Sequence, residues 1–145
     1  MKILRMDHIG INVIDFDAAK AFFLDLGLEL QGEGGVEGGL LDRVTGLDGA
    51  KTSFAFFLVP DGQTSIELVK YHRPLEEQGV QQSAANTLGL RHLSFAVDDI
   101  EGMVAKLKEK GFAPFSEIQR HEDSIKLCYI HGPEGIIVEL AEELT

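Results

Sequence analysis

The sequence has a single cysteine, Cys128, few basic residues (13 Lys and Arg against 24 Asp and Glu) and no long apolar run. One cysteine excludes an internal disulfide and leaves no thiolate pair for a metal site. Cys128 lies in an alternating stretch, where it reads as a small packed hydrophobe rather than a nucleophile. The shortage of basic residues gives a formal charge of −11, which repels phosphate backbones and anionic lipid. Nucleic acid and membrane surfaces are therefore excluded as natural partners. No stretch approaches the roughly 18 apolar residues of a membrane span, and Met1-Lys2-Ile3-Leu4-Arg5 breaks its apolar run too early for a secretory signal. These absences predict a cytoplasmic protein. At 145 residues and 44% hydrophobic, the chain is long enough for the core of one ordinary domain or of two small modules.

What the chain does contain is one cassette written twice. Laying the chain over itself so that His8 meets His92 places Asp7-His8-Ile9-Gly10-Ile11-Asn12-Val13 on Arg91-His92-Leu93-Ser94-Phe95-Ala96-Val97. The same shift sets Asp15 on Asp99 and Gly27 on Gly111. Further on, Pro60-Asp61-Gly62 and Ile66-Glu67-Leu68 match Pro133-Glu134-Gly135 and Val138-Glu139-Leu140, with one residue deleted between turn and strand.

Each copy predicts βαβββ. Ile9, Ile11 and Val13 alternate with His8, Gly10 and Asn12, the period of a half-buried strand, and the second copy repeats this with Leu93, Phe95 and Val97 against His92, Ser94 and Ala96. Acidic turns at Asp15 and Asp99 predict helix starts. Phe16, Ala19, Phe22, Phe23 and Leu26 then fall at helical spacing, as do Ile100, Met103, Val104 and Leu107. Gly27 and Gly111 stand where a left-handed helix stop is wanted. Three strands follow in each copy, over 28–31, 52–59 and 64–69 in the first and 112–115, 125–131 and 135–141 in the second. In each the last two form a hairpin through the Pro-acid-Gly turn. The glycine-rich stretch 31–51 reads as a long mobile loop with a short turn near 41–44, a candidate lid. The polar stretch 71–89 reads as a linker between modules 3–70 and 90–142 of a single 1–145 domain.

In the final strands Ile66 and Leu68 oppose Glu67, and Ile136, Val138 and Leu140 oppose Glu139, so each Glu, like each His, leaves the apolar face. Two such sheets, each backed by its helix, predict an α+β fold whose paired sheets surround a concavity holding His8, Glu67, His92 and Glu139. A lone strand histidine is more often a hydrogen-bonded bystander than a ligand. Matched positions in both copies, always on the polar face, are harder to derive from packing. Two imidazoles and two carboxylates suit Zn²⁺, Ni²⁺, Fe²⁺, Mn²⁺ or Co²⁺ and leave positions open for water or substrate. His72, His121 and His131 have no counterpart in the repeat and read as surface residues.

The opening Asp7-His8-Ile9-Gly10-Ile11, the second opening 90–98 and the closing 132–140 resemble the vicinal oxygen chelate superfamily, which includes glyoxalase I, methylmalonyl-CoA epimerase and bleomycin resistance proteins. The resemblance spans 6–142. It implies that His8, Glu67, His92 and Glu139 are metal ligands and that one divalent ion per site holds adjacent oxygens of a small-molecule substrate. A His-Glu-His-Glu set resembles bacterial glyoxalase I, so the implied activity is a metal-dependent lyase or isomerase that abstracts a proton next to a carbonyl. Glu139 is then the principal base and Glu67 the second. The resemblance admits two other readings, a metal-independent binding protein for an antibiotic or toxin and an Fe-dependent dioxygenase. A homodimer is expected, with each site built within one chain or shared between two.

Overall fold

A computed structural model of the chain describes residues 1–81 and 83–145. It divides into two units, Met1–Gly79 and Val80–Thr145. In the first, β1 (His8–Asn12) leads to α1 (Phe16–Asp25), β2 (Glu29–Glu37), α2 (Gly39–Thr45), β3 (Lys51–Leu58) and β4 (Ser65–Arg73). In the second, β5 (His92–Ala96) leads to α3 (Ile100–Glu109), β6 (Gln119–His121), β7 (Ile125–His131), a 3-10 turn at Pro133–Gly135 and β8 (Ile137–Glu143). The first sheet runs β1-β4-β3-β2 and the second β5-β8-β7-β6, so the two copies share one topology. In each, the opening strand pairs parallel to the last strand and the remaining pairs are antiparallel. The result is the α+β arrangement of two tandem modules that the repeat predicts. Among the described residues no helix is long and apolar enough to cross a membrane.

The helices begin and end alike because the same residues stop and start them. Asp15 accepts a hydrogen bond from the Ala18 N–H at 3.0 Å, and Asp99 accepts one from Gly102 at 2.9 Å, each satisfying a donor that the first helical turn leaves free. At the other end Gly27 (φ 98°) and Gly111 (φ 90°) take the left-handed conformation that a Cβ would penalise. Two backbone bonds then close each helix. Gly27 N–H donates to Leu24 and Leu28 to Phe23; Gly111 donates to Lys108 and Phe112 to Leu107. Both are Schellman stops, in register with each other across the repeat.

Each helix covers the apolar face of its own sheet. Ala19, Phe22 and Phe23 of α1 are fully buried with Ala55, Phe57, Ile66 and Leu68 of the sheet. Phe23 lies 5.9 Å from Phe57, ring centre to ring centre. Ile100, Val104 and Leu107 of α3 are likewise buried with Cys128, Ile130, Val138 and Leu140. Burying each such large side chain contributes about 1.5–3 kcal/mol.

Three stretches differ from the sequence expectation; in one, β4 runs through Arg73 and takes the first three residues of the linker expected at 71–89. Residues 31–51 are not a loop: β2 continues to Glu37 and α2 follows. Glycine disfavours strands, but at Gly34 it leaves room for a neighbour, since a Cβ there would stand a tight 3.2 Å from the Phe54 ring. The strand expected at 112–115 is reduced to one bridge, Pro114 to Ile130, and β6 at Gln119–His121 takes the edge instead. At that bridge Phe115 N–H donates to Tyr129 and His131 N–H to Ala113, so Pro114 occupies a position that needs no N–H toward β7.

Candidate metal centre

Register decides which side chains meet. On β1 and β4, His8 lies beside Ser65 and Gly10 beside Glu67, so His8 and Glu67 are diagonal neighbours on one face. On β5 and β8, His92 lies beside Ile137 and Ser94 beside Glu139, the same diagonal. Both opening strands alternate exposed and half-buried residues, with the histidine on the exposed parity. Glu67 sits between buried Ile66 and Leu68, and Glu139 between buried Val138 and Leu140, whose side chains take the opposite, helix-covered face.

The structure brings the four residues together as two pairs. His8 Nε2 stands 3.8 Å from Glu67 Oε1, and His92 Nε2 stands 3.2 Å from Glu139 Oε2. Two donors each bound at about 2.0–2.1 Å to one ion are separated by about 2.9 Å in octahedral and 3.4 Å in tetrahedral geometry. The second pair falls within that interval and so fits as two adjacent ligands of one ion, while the first is a few tenths of an ångström wider and would have to close by that much. Among the described residues no group of three or more His, Cys, Asp or Glu side chains is gathered as one metal-holding cluster.

Three neighbours of the pairs lie outside the expected set. Asp7 Oδ2 accepts a hydrogen bond from His8 Nδ1 at 2.8 Å, and Asp7 Oδ1 accepts one from Arg5 at 2.7 Å. The His8 hydrogen bond and then the Arg5 guanidinium hold the Asp7 carboxyl below the usual carboxylate range. Phe56 lies directly across from Glu67 and edge-on to the His8 ring at 5.5 Å. Tyr129 lies directly across from Glu139, with its ring 5.0 Å from that of His92. A signal for the two aromatics was present, since Phe56 and Tyr129 each stand four residues before the proline of the repeated turn. Periodicity alone does not show that those positions face a glutamate.

The remaining histidines sit elsewhere. His72 Nε2 is 2.7 Å from Ser53 Oγ, His131 stacks on Phe115 with centroids 3.8 Å apart, and His121 lies exposed on β6. The second pair thus stands next to a run of rings, His92, Tyr129, Phe115 and His131.

Two tandem βαβββ modules, each presenting a His–Glu pair on the sheet face opposite its helix, define the class of protein. Residues 7–129 match the Glyoxalase/Bleomycin resistance protein/Dioxygenase superfamily, and the chain belongs to that family. It is 31% identical to the uncharacterised protein YaeR of Escherichia coli K12 over 140 residues, 96% of either chain. Among solved structures it is similar to a glyoxalase family protein of Bacillus cereus, at 40% identity and a TM-score of 0.95, covering 100% of this chain and 97% of that one. The antibiotic binding protein TnmS3 from Streptomyces shares the fold at 19% identity and a TM-score of 0.66, covering 99% and 98% of the two chains.

Proposed function

We propose that the chain is a divalent-metal-dependent lyase or isomerase, with one ion held jointly by His8, Glu67, His92 and Glu139. The two pairs are drawn from the modules of one chain or of two chains in a homodimer. The observation that carries this reading is the repeated diagonal, which sets an imidazole nitrogen 3.8 Å and 3.2 Å from a carboxylate oxygen in the two copies. When bound, the ion supplies a fixed positive charge beside a substrate carbonyl, which lowers the barrier to ionising the neighbouring C–H. Glu139, detached from the ion, takes that proton and returns it to the next carbon in an isomerisation; in an epimerisation Glu67 delivers a proton to the opposite face of the same carbon. Glu67 is the second base. The buried residues flanking each Glu on its strand fix the backbone from which it reaches its partner.

The test is exchange of the substrate C–H with deuterated solvent, run on metal-loaded protein against hemithioacetals and acyl-CoA epimers. Wild type exchanges, and Glu139→Gln loses at least about a hundredfold in rate with an unchanged circular dichroism spectrum. Full exchange by Glu139→Gln contradicts the assignment of the base.

A second reading is favoured by the rings beside each pair: a metal-independent binding protein for a small planar compound. Aromatic faces contribute stacking without any ion. Ligand affinity that is unchanged by a chelator and by His92→Ala supports this reading over the first.

A further inference from the structure

We infer that Asp7 is a positioning residue that fixes the His8 ring for ligation and makes the first half of the metal centre the anchored half. The inference rests on the metal reading above. His8 has two ring nitrogens, and a metal ligand must present one of them bare. Asp7 Oδ2 lies 2.8 Å from Nδ1, and a carboxylate only accepts, so the proton belongs on Nδ1 and Nε2 is left bare on the side of Glu67. Arg5 holds the other Asp7 oxygen at 2.7 Å, which fixes the carboxylate while it engages the ring. The carboxylate also adds electron density to the imidazole, raising its strength as a donor.

The second copy is built differently. Where the first has Asp7, the second has Arg91, whose Nε donates to the Leu90 carbonyl. Among the described residues no carboxylate meets His92 Nδ1, and the ring rests against Tyr129 while Nε2 faces Glu139. A centre that looks symmetric in ligand type is therefore unequal in support. His8 is held through Nδ1 by a carboxylate before any ion arrives, whereas His92 is placed by the Tyr129 ring and Glu139 with no carboxylate at Nδ1 among the described residues.

Two measurements on the full chain test this. Long-range ¹H–¹⁵N spectra of metal-free protein report the tautomer of each histidine. Wild-type His8 carries its proton on Nδ1; Asp7→Ala moves it toward Nε2, Asp7→Asn lies between, and the His92 signals do not change. Calorimetric titration with Zn²⁺ then gives a Kd raised roughly 10- to 100-fold in Asp7→Ala, less in Asp7→Asn, and within about twofold of wild type in Arg91→Ala. An Nε2 proton on wild-type His8, or an Asp7→Ala variant that binds Zn²⁺ as tightly as wild type, overturns the inference alone. A wild-type chain that binds no Zn²⁺ overturns the metal reading and this inference with it.

Discussion

His8 and His92 hold the same register position in two different settings. Each is carried on a strand whose other face is apolar, so neither is needed for packing, and each finds its Glu by the same diagonal step across a parallel strand pair. That each His shares a sheet face with its Glu was legible in the sequence because the chain states the pattern twice. Their neighbours were not. Phe56 and Tyr129 meet the pairs only through antiparallel register, and Asp7, the residue before β1, meets His8 through a side-chain hydrogen bond. Contacts of that kind depend on strand register, to which hydrophobic period is blind.

Cys128 shows the opposite behaviour, a reactive group made inert. It is 3% exposed, and burial, helped by the negative Glu139, pushes its thiol up from the ordinary value. The unfolded thiol ionises near pH 8.5. Because the folded value is higher, the stability tied to this group is whole below that pH and is lost as pH rises through the folded value. Urea denaturation at pH 7.5 and 9.5 should show an alkaline loss in wild type that is smaller in Cys128→Ala, and a thiol reagent should label the native protein far more slowly than the unfolded one.

At the scale of elements, both helices are fixed by residues outside their apolar stripes. Asp99→Ala removes the acceptor for the Gly102 N–H and should cost about 1 kcal/mol in unfolding free energy, with Asp15→Ala similar, read by chemical denaturation. These caps and the glycine stops were readable because they act locally. β2 was not, because its glycines disfavour a strand locally and the neighbours they meet, Phe54 at Gly34 and the Thr52 carbonyl at Gly35, lie on another strand. The edge of the second sheet was missed as well: the 112–115 run has the composition of a strand but pairs with β7 at a single bridge, and β6 pairs further along the same strand. The deletion in the second hairpin is absorbed at Glu134 (φ 53°) and Gly135 (φ 77°), which tighten the turn and leave the Glu139 diagonal in place.

For the whole molecule, the tandem α+β architecture follows from the repeat, and family membership agrees with it. The fold alone does not choose a chemistry, since one scaffold of this kind serves lyases, isomerases and binding proteins. The choice rests on whether the two His–Glu pairs act as one ligand set. Calorimetric titration of metal-free protein with Zn²⁺ or Ni²⁺, on wild type, His8→Ala and His92→Ala, measures this directly. The account predicts about one ion per chain in wild type and a large loss of affinity in both variants, because each removes a ligand from a shared centre. Two independent ions per chain, or a variant that binds as tightly as wild type, would contradict it.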